Sequence, residues 1–315
     1  MMQCVATQTH LAADAAGAPI DPALDRVLER DCGPVTLMLH GFRYCPLHQP
    51  STNDPTVRDP HRLIYAQRPE TDCTRMVSWP QLLQRSGPTL GIGWPAMYQG
   101  RGTLAVMRGF PAVYQRAGLV AQQVAKLADR IAELDPTRRI DIIGHSLGAR
   151  VALSALTHMK AAEPGQVLLW GAAERANVAQ QMIAQAPTTT SITNVRARTN
   201  ARYDAMFEWA APGRGPAMGS ARPIEGVRTL TLDDPITEHA LAQRGHALGP
   251  APRGKCHWSF YTRAGTGPLY SELLDRPGIW TAERIAALAQ PQQRQSSGWM
   301  TTLSSYLPVN RMRGA

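Results

Sequence analysis

Lysine is almost absent from this 315-residue chain. Of its 33 basic residues only Lys126, Lys160 and Lys255 are lysines, so arginine carries nearly all of the formal net charge of +9. The arginines are scattered singly or in pairs such as Arg138-Arg139, with no basic run and no recognisable nucleic-acid motif. That distribution predicts a solvated charged surface and argues against a nucleic-acid or anionic-lipid partner. Cysteine is scarce as well. Cys4, Cys32, Cys45, Cys73 and Cys256 are odd in number and contain no Cys-x-x-Cys pair, which points to reduced thiols and a cytoplasmic location rather than a disulfide framework. No apolar run is long enough to span a membrane. The opening Met1-Met2-Gln3-Cys4-Val5-Ala6-Thr7 has no basic region followed by an apolar one, so no signal peptide is expected. Charged residues make up only 18% and hydrophobic ones 43%. These values exclude a wholly disordered protein and suit one large α/β domain, or at most two smaller ones.

What the chain does contain is centred on Ile140-Asp141-Ile142-Ile143-Gly144-His145-Ser146-Leu147-Gly148-Ala149-Arg150. A strand-type apolar run enters a Gly-x-Ser-x-Gly pentapeptide, and Val151, Ala152, Leu153 and Ala155 continue as a helix. Three fixed residues in five recur by chance, so it is the strand before and the helix after that give the motif its meaning. In that context the serine sits on a tight, strained strand-to-helix turn that projects its hydroxyl out of the sheet. Gly144 and Gly148 remove the side chains that would clash there, and the new helix points its N-terminus at the site.

The remaining strands read as buried apolar runs. They are Val35–His40 after Pro34, Thr89–Trp94 closed by Pro95, Val167–Gly171, Ser191–Arg196 and Val227–Leu232. The clearest helix has Val120, Val124, Leu127, Ile131 and Leu134 at alternating four- and three-residue spacing, stopped by Asp135-Pro136. Shorter helices are expected at 22–28, 79–84, 174–186, 235–241 and 279–290. Loops are expected at 43–76, from 95 to about 116, at 205–226 and at 235–256. Strands alternating with helices predict an α/β fold, a mostly parallel sheet flanked by helices on both faces. Ligands in such sheets bind beyond the carboxyl ends of the strands, where Gly41, Ser146 and the residues after 191–196 fall. We divide the chain into an N-terminal extension (1–34), the α/β domain (35–290) and a C-terminal tail (291–315).

Strand–His40-Gly41-Phe42, then Gly144-His145-Ser146-Leu147-Gly148, then an acid and a histidine downstream together resemble the α/β-hydrolase superfamily. Within it the chain looks like its bacterial esterase/lipase-like members, over about Val35 to Gln290. The resemblance implies Ser146 as nucleophile, with the backbone N–H groups of Leu147 and Phe42 as oxyanion-hole donors. A serine hydroxyl needs a base to accept its proton, and the base needs a partner that fixes its tautomer.

Asp204 follows the 191–196 strand and precedes every candidate histidine, so it keeps the family order Ser, acid, His. Its alternative role is a turn cap, and Glu174, Asp233 and Asp234 are the rival acids. His257, His239 and His246 all follow the last strand. Trp258, Phe260 and Tyr261 can bury the segment around His257 and hold it firmly, which favours His257. His40 and His145 read as structural residues. The expected activity is hydrolysis of a small-molecule carboxylic ester or thioester through an acyl-enzyme, with no cofactor and no metal. Acyl transfer and a non-catalytic binding scaffold are the alternatives. Transfer fits less well, because its enzymes usually carry an acid where this chain has Ala149.

Overall fold

The computed structural model describes residues 2–5, 13–14, 21–46, 58–98 and 103–290. Its strands are β1 (Met2–Val5), β2 (Ala13–Asp14), β3 (Val35–Leu39), β4 (Thr89–Gly93), β5 (Ile140–His145), β6 (Gln166–Trp170), β7 (Ser191–Arg196) and β8 (Val227–Thr231). They form one sheet in the order β2-β1-β4-β3-β5-β6-β7-β8. Every neighbouring pair is parallel except β1 with β2. The boundary drawn at residue 34 does not break this sheet, since β1 pairs with β4 from Met2↔Leu90 to Val5↔Gly93. The tail drawn at 291–315 lies outside the described residues.

The helices are α1 (Asp21–Arg30), α2 (Trp79–Leu83), α3 (Thr103–Leu134), α4 (Leu147–Leu156), α5 (Ala176–Ile183), α6 (Ala201–Ala210), α7 (Pro235–Ala242), α8 (Ser259–Thr262), α9 (Thr266–Asp275) and α10 (Ala282–Leu288). A single 3₁₀ turn, Arg198–Asn200, precedes α6. Caps set several starts in the manner expected of short polar residues. Ser78 accepts the Gln81 N–H at 3.2 Å, and Asp234 accepts the Thr237 N–H at 3.0 Å with Pro235 in the first turn.

Alternation along the strands divides the core in two. Val35, Leu37, Leu39, Ile140, Ile142, Val167 and Leu169 face one way, toward α1, α3 and α4. Met38, Ile143, Leu168 and Trp170 face the other, toward α2, α7, α8, α9 and α10. With both faces covered, the strands show the continuous apolar runs of a buried parallel sheet.

Three expectations need correction. Residues 205–210, read as loop, complete α6. The region from 103 to 116, read as loop, is the first half of α3, which runs for 32 residues and keeps Pro111 inside it. Proline removes one helical hydrogen bond there. Phe110, Val113, Tyr114 and Ala117 nevertheless extend the buried face of the later turns, and packing outweighs the lost bond. The arginines, read as solvated surface, are partly internal. Arg85 and Asp141 form an ion pair with both side chains 0% exposed, and Arg175, Arg228 and Arg263 are buried. The Arg175 guanidinium donates to the carbonyls of Glu208, Ala211, Pro212 and Gly215, stapling the loop after α6.

Candidate active site

Ser146 joins β5 to α4 with φ 55° and ψ −121°, a conformation that costs a non-glycine residue of order 1–3 kcal/mol. The turn is held from β6. The Ser146 N–H donates to the Trp170 carbonyl at 3.0 Å, and its carbonyl accepts from the Ala173 N–H at 3.0 Å. Crowding around it is backbone-tight. A Cβ on Gly148 would stand 2.0 Å from the Leu39 carbonyl oxygen, and one on Gly41 would stand 2.6 Å from the Ser146 Cβ. The end of β3 therefore lies directly against the serine. The Phe42 and Leu147 N–H groups donate to no acceptor among the described residues.

His40 explains how the Gly41-Phe42 turn is held. Its Nε2 accepts the Trp94 N–H at 3.1 Å, so its Nδ1 carries the proton and donates to the Gly41 carbonyl at 2.9 Å. Its ring stacks on Trp94 at 5.5 Å. Burial pushes its pKa down to about 3, so it is a neutral structural residue.

His257 sits on the loop before α8. Phe260 and Tyr261 are buried behind it, and its ring stacks on Tyr203 at 4.6 Å. Two further ties fix the loop. His145, next to the serine, donates Nε2–H to the His257 carbonyl at 3.0 Å, with its own pKa lowered to about 4 by burial. The Cys256 N–H donates to the Thr199 carbonyl at 3.0 Å. The two imidazole centroids are 4.5 Å apart, which brings His257 to the serine turn. Burial first, and the neighbouring His145 second, hold the His257 pKa well below the ordinary histidine range.

The group on the far nitrogen of His257 is an amide rather than a carboxylate. His257 Nδ1 lies 2.6 Å from Asn200 Oδ1, and Asn200 Nδ2 donates to Asp204 Oδ1 at 3.0 Å. Asp204 is thus one residue removed from the position expected of it. The reason is local. The 3₁₀ turn after β7 places Asn200 at the strand end, and Asp204 lies one helical turn further along α6 on the same face. The rival acids are all engaged elsewhere. Asp233 accepts the Arg198 and Thr199 N–H groups at 2.7 and 2.8 Å and so shapes the turn that presents Asn200. Asp234 caps α7, and Glu174 is buried with Tyr114 and Arg150. Among the rival bases, His239 faces the Gln243 side chain at 3.0 Å on the exposed face of α7, and His246 meets Glu272. Asn200 could have been noticed from its place at the end of the 191–196 strand.

No family model and no curated protein matches the chain. Sixteen chains of solved structures match it, among them the following three. A lipase-esterase related protein from Clostridium acetobutylicum ATCC 824 is 8% identical with a TM-score of 0.36, over 76% of this chain and 93% of its own. MenH from S. aureus is 10% identical with a TM-score of 0.31, over 63% and 84%. An acetyl xylan esterase, solved as an iodinated complex, is 11% identical with a TM-score of 0.35, over 80% and 100%. Among the described residues no helix is long and apolar enough to cross a membrane, and no cluster of three metal-binding side chains occurs.

Proposed function

We propose that the protein is a serine hydrolase of carboxylic esters or thioesters that works through an acyl-enzyme. The observation that carries this reading is the strained backbone of Ser146 at the β5–α4 turn, with His257 buckled to that same turn through His145. Ser146 Oγ attacks the carbonyl carbon while its proton passes to His257 Nε2. The carbonyl oxygen gains the negative charge and is met by the Phe42 and Leu147 N–H groups, which have no competing partner among the described residues. Such donors are each worth about 3–4 kcal/mol of barrier. The C–O or C–S bond then breaks, and His257 returns the proton to the departing alkoxide or thiolate. Water, deprotonated by His257, attacks the acyl-serine, releases the acid and restores the hydroxyl.

Asn200 takes the triad position expected of Asp204. An amide oxygen accepts the Nδ1 proton and orients the ring as a carboxylate would, without the full charge; a His–Asn pair serves cysteine nucleophiles in this way. The reaction uses no cofactor or metal. Beside Phe42, the Phe110 ring packs edge-on at 5.2 Å and Phe207 follows at 6.1 Å, an apolar wall suited to the acyl group. Cys32, Cys73 and Cys256 form no disulfide among the described residues, which fits a cytoplasmic location.

Burst release of p-nitrophenol from p-nitrophenyl acetate, with fluorophosphonate labelling mapped to Ser146, tests the reading. Labelling at another residue, or none, overturns it. Adding an alcohol acceptor and measuring the new ester distinguishes acyl transfer, which would use the same residues.

A further inference from the structure

We propose that Asp204 is a positioning residue that acts through Asn200, fixing which end of the amide faces His257 and thereby setting the imidazole tautomer. The inference rests on the hydrolase reading above. An ionised carboxylate can only accept hydrogen bonds, so the group of Asn200 that faces it must be the NH₂. That contact is the 3.0 Å bond from Asn200 Nδ2 to Asp204 Oδ1. The amide oxygen is then left facing His257 Nδ1 at 2.6 Å. An amide oxygen also only accepts, so the ring proton resides on Nδ1 and Nε2 keeps the lone pair that must receive the serine proton. The two ends of an amide have nearly the same shape. Without Asp204 nothing described on the far side of Asn200 chooses between them. The reversed amide would put NH₂ against Nδ1, move the ring proton to Nε2 and disable the base.

The surroundings show that the carboxylate is accommodated at a cost. Asn200 is 1% and Asp204 5% exposed. The carboxylate fits only because residue 219 is glycine, where a Cβ would stand 2.5 Å from both of its oxygens. No arginine or lysine contacts it directly among the described residues. The charged groups that face it are Glu208 on its own helix and Arg196 at the end of β7. Glu208 is occupied by the Ala217 N–H and the Ser220 hydroxyl, and Arg196 by Thr231 and the Ala221 carbonyl. Burial first and Glu208 second push the Asp204 pKa up to about 7, against the lowering effects of Asn200 and Arg196. A buried acid with this cost and no direct cation is more expected of a working site than of a structural one.

The sign of the pH effect follows. The latch requires ionised Asp204, so activity rises with pH through about 7. His257, held well below its ordinary range, does not titrate there. Stability runs the other way. Between the ordinary aspartate pKa of about 4 and the folded value, the unfolded chain ionises while the folded one stays neutral, so folding weakens as pH rises through that window. A positioning role therefore predicts opposite effects of removing the charge at pH 8, namely lower activity and higher stability.

The test compares wild type, Asp204→Asn and the exchange variant Asn200→Asp/Asp204→Asn. It reads kcat and KM on p-nitrophenyl acetate from pH 5 to 9, the urea midpoint at pH 8, and the protonated ring nitrogen of His257 by ¹⁵N NMR. An amide at 204 can offer either end, so Asp204→Asn should lose about tenfold or more in kcat, with KM little changed. It should also lose the inflection near pH 7, unfold at higher urea and show His257 protonated partly at Nε2. The exchange variant puts a carboxylate directly on Nδ1 and should recover kcat to within a few-fold of wild type. The proposal is overturned if Asp204→Asn keeps the wild-type profile and tautomer. It is equally overturned if that variant loses activity and stability together and the exchange variant fails to restore kcat. Wild-type labelling at Ser146 with an unaltered tautomer in Asp204→Asn would defeat this inference alone, whereas absence of labelling in wild type would defeat the hydrolase reading itself.

Discussion

Replacing Gly41 by alanine adds one methyl group and should nearly silence the enzyme. The added Cβ would stand 2.6 Å from the Ser146 Cβ, 3.2 Å from its Oγ and 2.9 Å from the His145 carbonyl oxygen. Carbon atoms rest at about 3.5–4.0 Å, so the serine or the end of β3 must retreat by roughly 1 Å. Ser146 cannot rotate away freely, because its N–H is bonded to Trp170 at the end of β6 and its carbonyl to Ala173 just after it. Nor can residue 41 easily move outward, since the His40 ring ties that turn to Trp94. A displacement of about 1 Å at a reacting atom costs on the order of 100-fold in rate. The overpacking itself costs about 1–3 kcal/mol of stability. Gly41→Ala should therefore keep its circular dichroism spectrum, lose part of its urea midpoint and show kcat on p-nitrophenyl acetate reduced about 100-fold, with fluorophosphonate labelling slowed in parallel. A kcat within threefold of wild type would refute the idea that the contact between the β3 end and Ser146 governs turnover.

Ser146→Ala should abolish labelling and lower kcat by several orders of magnitude, with an unchanged far-UV spectrum. Asn200→Ala should lower kcat at least 100-fold with little change in KM, because it removes the acceptor that orients His257; near-normal turnover would mean the ring is oriented by something else. Far from the site, Arg85→Met leaves Asp141 buried with only Arg139 as a cation, at 3.0 Å. Breaking a buried pair in this way should cost about 3 kcal/mol, read as a lower urea midpoint, with kcat unaffected in the folded protein.

The parts of the fold that could be read in advance are those in which the chain's own pattern decides the structure. β3, β5 and β6 are apolar on both faces because the sheet is covered on both, and their runs are continuous for that reason. The serine turn is equally local, since its glycines answer to contacts within a few residues and to the neighbouring strand. For Asn200 the sequence shows the place, at the end of the 191–196 strand, but not the partners. Its role depends on a 3₁₀ turn shaped by Asp233, 33 residues later, and on a histidine 57 residues away. Chemistry alone pointed to a carboxylate, and Asp204 was the one in reach of that strand end. The first half of α3 was missed because Gly109 and Pro111 read as breakers. The spacing of Phe110, Val113, Tyr114 and Ala117 carries the helical signal through them.

The internal arginines give the composition a different meaning. Arg138 donates to the carbonyls of Leu28, Asp31 and Gly33, and Arg116 to those of Pro95 and Met97. Together with Arg175 they act as cross-braces for stretches that lack a ladder of their own. A planar fork with five N–H groups can brace several carbonyls at once, and an ammonium cannot hold them in the same plane. The preference for arginine over lysine in this chain is therefore partly architectural. Part of the formal +9 is set against carbonyl dipoles inside the molecule. An amine-directed reagent would meet only three side chains and would leave these braces untouched.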